Sequence, residues 1–463
     1  MSRRVVLILG LIAWGAFAFG AVYPWAYVPL LVGCMAVGAS GLLPRNGIRK
    51  TTPALVVSLV LLMAAIGVQL IPLSIGTIRS ISPETDVVLQ RYAVGYPVSV
   101  QAHPLSIRPI LTATALAAAV ALAVFFLGLA RSLTRDEALQ IVRGVTVVGA
   151  ALAMTGIIQK ALWNGRIYGF WTPFQAGDSF GPFVNRNHFA GWMLMALPLA
   201  AGYFCGRVSR GMGHVRPGFR NRVLWFSTAD ASETILIGFA VLLMALGLTL
   251  TLSRSAVLGV VAAAGLAGWF VVRRAGGGSQ GAIVAGYLTF VVIAAGAWVG
   301  VDSIAARFTH GQVINLGGRR GIWADAWHVA GRFPLAGTGL NTFGEAALFY
   351  QTANPRLHFE QAHSDYLQLL AEGGLLVCVP AILAFLALVW TVRAQFRNLA
   401  TDRTDYWIRV GAVTGLVAIA LQEAADFSLQ MPGNAVLLAV LIALAIRPPL
   451  DRQRRSALPL PPP

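Results

Sequence analysis

The sequence predicts an all-α polytopic membrane protein, and three observations lead there. The 463-residue chain is 57% hydrophobic and only 11% charged, where soluble domains carry about 25% charged residues. Its mean hydropathy is +0.70. Its apolar residues run in unbroken stretches near the roughly 20 residues that carry a helix across a bilayer. A β-barrel would alternate apolar and polar residues instead.

Taken in order, the runs predict about twelve spans: 5–22, 26–43, 53–73, 109–130, 141–161, 188–204, 233–252, 255–272, 281–301, 366–391, 408–425 and 433–446. Arg3-Arg4 before the first run resembles a signal peptide. A second run follows almost at once, so the first is read as an uncleaved helix. With the N-terminus in the cytoplasm, 23 of the 35 Lys and Arg fall on cytoplasmic segments and 12 on the other side. This is the positive-inside bias, and it places both termini in the cytoplasm. The net charge of +17 therefore follows topology. Its partner is anionic membrane lipid, not nucleic acid. Residues 1–463 are read as one integral membrane domain, with the proline-rich tail 457–463 unstructured. Cys34, Cys205 and Cys378 lie in or beside predicted spans, so neither a disulfide framework nor metal spacing is expected.

Three loops face the outer side. The first, 74–108, is polar and punctuated by Pro83, Pro97 and Pro104. The second, 162–187, carries Trp163, Tyr168, Phe170, Trp171 and Phe174, which suit the headgroup level or the lining of a lipid or sugar path. The third, 302–365, lies between the ninth and tenth spans and forms an outer loop subdomain. Loops beyond about 12–15 residues are usually functional or disordered. Here Ile322, Trp323, Ala326, Trp327 and Ala330 recur at helical spacing, which predicts an amphipathic helix over Gly318–Ala330. Trp323 and Trp327 are expected on one face, resting on the bilayer or on the bundle. Phe333-Pro334 ends that helix, and Gly337-Thr338-Gly339 reads as a tight turn.

The polar residues of interest gather at outer boundaries. His363 precedes the tenth span, with Ser364 as its N-cap and Asp365 in the first turn. An imidazole there exchanges protons near neutral pH, or is simply an interfacial histidine. Arg319 and Arg320 open the amphipathic helix and suit phosphate, or lipid headgroups. Arg254 sits between two apolar runs with almost no loop, a costly place for a guanidinium unless it faces a cavity or partner. Glu423 and Asp426, placed at i and i+3 near the end of the eleventh span, are its candidate structural partners. Asn185-Arg186-Asn187-His188 opens the sixth span, with Asn187 as a candidate cap. Several arginines and one histidine on one side suit a lipid-linked pyrophosphate substrate.

Three blocks then resemble the bacterial O-antigen ligase / O-antigen polymerase family. They are Phe183-Val184-Asn185-Arg186-Asn187-His188-Phe189-Ala190-Gly191, then Leu252-Ser253-Arg254-Ser255. The third runs from Gly318-Arg319-Arg320-Gly321-Ile322-Trp323 through Pro334-Leu335-Ala336-Gly337-Thr338-Gly339-Leu340 to His363-Ser364-Asp365-Tyr366-Leu367-Gln368 and Glu372-Gly373-Gly374. The resemblance implies a GT-C-like enzyme of about twelve helices that moves a glycan from undecaprenyl pyrophosphate by metal-independent, inverting transfer, with no cofactor. It implies His363 as the essential histidine, and Arg254 and Arg319 as phosphate ligands, with Arg320 adjacent to the second. Asn185, Arg186, Asn187, Asp365, Glu423 and Asp426 are candidate acceptor or structural supports. Ser364 stands where the family often has Asn; if that side chain positions the acceptor, the acceptor differs. The expected setting is the bacterial inner membrane with the site facing the periplasm. The expected acceptor is a glycan or lipid A–core. Two readings compete with a ligase: an O-antigen or exopolysaccharide polymerase of the same family, and a transporter or flippase for lipid-linked glycan.

Overall fold

The computed structural model describes residues 1–43, 52–98, 100–173, 179–212, 220, 227–275, 316–352, 356–397 and 403–448. The predicted ninth span, the start of the long loop and the C-terminal tail lie outside these residues.

The described chain is helical almost throughout. The long helices are α1 (Arg3–Phe17), α2 (Pro24–Leu42) and α3 (Pro53–Val68); two short ones follow, α4 (Ile75–Ile81) and α5 (Pro83–Tyr92). Then come α6 (Pro109–Ser132), α7 (Arg135–Ala161), α8 (Arg186–Met212), α9 (Ala229–Leu250) and α10 (Arg254–Ala275). The last are α11 (Leu316–Arg332), α12 (Phe343–Tyr350), α13 (Asp365–Arg397), α14 (Arg403–Gln422) and α15 (Pro432–Ile446). Seven of them, namely α2, α6, α7, α8, α9, α13 and α14, are long and apolar enough to cross a membrane, and α3, α10 and α15 are shorter apolar helices. Local sequence sets their starts. Proline stands at the first turn of α2, α3, α5, α6 and α15, where its missing N–H costs nothing. Thr134 and Glu137 form a capping box on α7, and Ser2 and Thr228 cap α1 and α9.

The bundle centres on α8 and α14. A Cβ on Gly202 would lie 2.3 Å from the Trp407 carbonyl, and one on Gly411 would lie 2.4 Å from that of Pro198. Small residues let these two backbones touch, as in helix packing within lipid. Outside the bundle the apolar side chains stay exposed: Leu375, Val379, Ile382, Leu386 and Trp390 line one stripe of α13. Such a face has no place in water.

The two ends of the bundle differ. One end holds the ion pairs Arg135–Asp405 at 3.4 Å, Arg447–Asp405 at 2.9 Å and Arg207–Glu233 at 2.8 Å. Arg409 is 2% exposed and donates to the carbonyls of Ala445 and Arg447 at the C-terminus of α15. The opposite end carries a small helical cap. Within it the first outer loop is not a polar tether. It folds into α4 and α5, closed by a two-residue antiparallel pairing of β1 (Leu73–Ser74) with β2 (Ala102–His103). Val88 of α5 joins Ile322, Ala326 and Val329 of α11, Phe333 just beyond that helix and Phe343 of α12 in a second apolar core. Tyr92 stacks on Phe349 at 4.0 Å, and the Tyr350 hydroxyl donates to Glu84 at 2.8 Å.

The predicted tenth span is not continuous. Gly374 has φ 54° and ψ −162°, a conformation open only to glycine, and it splits α13. The segment Pro334–Gly339 docks into the break. Leu375 and Leu376 N–H groups donate to the Pro334 and Leu335 carbonyls, both at 2.9 Å. Thr338 and Gly339 N–H groups donate to Ala371 and Glu372 at 3.1 and 2.9 Å. The Gly337-Thr338-Gly339 turn is thus a fitted contact: a Cβ on Gly337 would meet the Glu372 carbonyl at 2.1 Å. Gln69, fully buried after α3, donates to the Ala336 and Glu372 carbonyls and accepts from Leu340 N–H. The Glu372 carboxylate accepts from the Asn341 and Phe343 N–H groups, holding the start of α12.

Candidate active site

The site is organised by the connection from α14 to α15. Helix α14 ends at Gln422, so Glu423 and Asp426 lie in the turn beyond it rather than on a helix face, with Phe427 and the short 3-10 turn Ser428–Gln430 next. An apolar helix that stops at a bilayer edge leaves its last carbonyls without partners, and polar residues collect there to meet them. Both acids are essentially buried, at 1% and 0% exposure.

Each remaining element sends one group to this turn. From α8, the carbonyls of Asn187 and His188 accept from Gln422 at 2.9 Å and Asn434 at 3.0 Å. The α8 cap is Asn185, not Asn187: its side-chain oxygen accepts from Asn187 N–H at 2.8 Å. Arg186 is half-buried alongside. From the α9–α10 corner, where Leu252 takes φ 51°, the Ser255 hydroxyl donates to Asp426 Oδ2 at 2.9 Å and sits 3.1 Å from the Ser253 hydroxyl. Arg254 lies between these two serines, half-buried. From α11, Arg319 donates Nη1–H to the Ala425 carbonyl at 2.6 Å, and Nη2 stands 3.4 Å from Asp426 Oδ2. Arg320 is exposed, so of the adjacent pair Arg319 is the one that enters the site.

His363 completes the ring. It has φ 52°, the left-handed region that only a few per cent of non-glycine residues occupy. Its ring sits edge-on to Phe427 at 5.0 Å, and His188 packs on the same phenyl ring at 4.7 Å. Trp323 Nε1–H donates to the His363 carbonyl at 3.2 Å. The Asp365 N–H donates to the Glu423 and Asp426 carbonyls at 3.0 and 3.2 Å, and its side chain accepts from Gln430 at 2.7 Å. Ser364 stands at the predicted N-cap position, with its hydroxyl 3.5 Å from Leu367 N–H. Burial and then the Arg319 guanidinium pull the His363 imidazole down to about 4, partly opposed by Asp426. Near neutral pH the ring is uncharged, the form that can accept a proton.

Residues 239–382 match the family model described as O-antigen ligase. That stretch is similar to the O-antigen ligase family. No curated protein matches the chain. The O-antigen ligase match takes in Arg254, Arg319, Arg320, His363 and Asp365, and the resemblance read from the sequence blocks holds. With the seven long apolar helices, it supports a multi-pass membrane protein similar to ligases or polymerases. The α8 block and the 422–430 turn fall outside the ligase match, and it is the fold that brings them to its residues. Sequence reading gave no site role to Phe427, Ser255, Gln430 or Gln69. Ser255 left a signal within the Leu252–Ser255 block, and Gln69 as a lone amide closing an apolar run. The two tryptophans of α11 also part company: Trp323 is half-buried against His363, whereas Trp327 is 64% exposed.

Proposed function

We propose that this protein transfers a glycan from undecaprenyl pyrophosphate to an acceptor hydroxyl on the periplasmic face of the bacterial inner membrane, with both termini cytoplasmic. One observation carries the reading: Arg319 and Ser255, the neighbour of Arg254, meet on the single carboxylate of Asp426, beside His363. In this reading neutral His363 takes the proton of the acceptor hydroxyl. The oxygen attacks the anomeric carbon from the face opposite the leaving group. The bond to the pyrophosphate oxygen breaks, and the configuration inverts. Arg254 and Arg319 hold the pyrophosphate and stabilise the charge that grows on it. Pyrophosphate so neutralised is a good leaving group, which supports a reaction without a metal. Asp426 keeps Arg319 and the α10 corner in place until the donor arrives.

The broken α13 is a feature shared with transporters, whose interrupted helices line a substrate path. Here the break is filled by the backbone of Pro334–Gly339, which favours a fixed scaffold over a moving gate. The ligase reading, with a lipid A–core acceptor, and the polymerase reading share this chemistry and part on the acceptor. The test is a transfer assay with lipid-linked glycan and purified protein. His363→Ala is expected to lose at least a hundredfold in rate, and unchanged transfer would sink the assignment. The product separates the two readings: attached chains for a ligase, lengthened carrier-linked chains for a polymerase.

A further inference from the structure

Helix α11 touches the site twice. Arg319 and Trp323 are four residues apart and so share one face. Arg319 reaches the Ala425 carbonyl and Asp426, while the Trp323 indole N–H holds the carbonyl of His363. That carbonyl belongs to a residue in a left-handed backbone conformation, which persists only where the surroundings impose it. The surroundings are countable. Ala362 N–H is fixed by Gln368 Oε1 at 3.0 Å, Asp365 N–H by the Glu423 and Asp426 carbonyls, and the ring by Phe427. Three of these restraints come from α13 and the 422–430 turn. Trp323 is the one that comes from the helix that also carries the arginine.

We propose that Trp323 is a positioning residue that couples occupancy of Arg319 to the setting of His363. The inference rests on the donor and base roles assigned above. When a pyrophosphate draws the Arg319 guanidinium from Ala425 and Asp426, α11 is re-seated by the ligand. The indole hydrogen bond passes that re-seating to the His363 backbone one turn along. The base is then set for proton transfer only when the donor is in place, which limits attack by water on a half-filled site.

The experiment compares wild type, Trp323→Phe, Arg319→Ala, the double variant and His363→Ala in the same transfer assay. Trp323→Phe keeps an aromatic ring and removes the N–H. It is expected to lower kcat roughly tenfold while donor KM stays within about twofold, because only the setting of the base is lost. In the Arg319→Ala background the same change is expected to cost less than about threefold, since contacts acting through one route are not additive. A wild-type kcat for Trp323→Phe, a loss confined to KM, or additive losses would overturn the coupling. If Trp323→Phe elutes as aggregate in detergent, β-(3-benzothienyl)alanine at position 323 keeps the shape of tryptophan without the N–H and gives the same readout. His363→Ala keeps the two questions apart. If it transfers normally, the base assignment fails; if it is inactive while Trp323→Phe is normal, only the coupling fails.

Discussion

His363 combines three properties that rarely meet in one residue: a left-handed backbone, a half-buried ring and a neighbouring guanidinium. The last two lower its proton affinity, and the sign of the consequence follows. The unfolded chain protonates this ring near its ordinary 6.5, the folded chain near 4, so between these values the unfolded state binds more protons. The stabilisation from a neutral His363 is therefore complete above about 6.5 and is lost as pH falls toward 4. Thermal unfolding in detergent across that window should show the loss, and His363→Gln should flatten it. Arg319→Ala removes the second cause of the shift. Histidine NMR should then find the ring titrating at higher pH than in wild type; a midpoint that stays put or falls would mean that Arg319 does not act on the ring.

At the scale of elements, the decisive feature is the break in α13 and the strand-like segment that fills it. Gly337 and Gly374 both take positive φ, at 66° and 54°, and face each other across the contact. A Cβ on Gly374 would lie 2.6 Å from Gly337 N. Gly337→Ala or Gly374→Ala should each cost at least about 2 kcal/mol of stability and abolish transfer, by expelling the segment that seats α11 and α12. Gly331→Ala, also in the cap but with nothing within 4 Å of its Cβ, should be neutral or stabilise by about 0.5 kcal/mol. Differential scanning fluorimetry of the three variants checks both statements. The amphipathic spacing from Ile322 to Ala330 made α11 legible in the sequence, and Pro334 its end. The docking was not legible, because nothing local in Pro334–Gly339 says that its N–H and C=O groups pair with the middle of another helix.

Over the whole molecule, the candidate site and the ion pairs of Asp405 and Glu233 occupy opposite ends of one bundle. That separation was visible in the sequence as the bias of Lys and Arg, since charge placement is a property of each loop by itself. What was invisible is the assembly. Ser255 and Asp426 are 171 positions apart, and no local pattern marks Phe427 as the ring on which two histidines rest. Expected sidedness gives a direct test. Arg320 and Arg210 are exposed at the two ends. Arg320→Cys should react with a membrane-impermeant maleimide on intact spheroplasts. Arg210→Cys should react only after permeabilisation, and labelling of both from outside would refute the orientation.

The turn from Glu423 to Gln430 has a consequence in time as well as in space. A ribosome delivers Arg254, Arg319 and His363 well before it delivers Asp426. Until then Arg319 and Ser255 lack the carboxylate on which they meet, and the histidine lacks its phenyl support. Throughout that interval the nascent chain holds the proposed reactive groups without the constellation around Asp426 and Phe427. On the proposed function, insertion of the last helix pair would then be a licensing step, and a half-made protein would stay inert toward lipid-linked glycan.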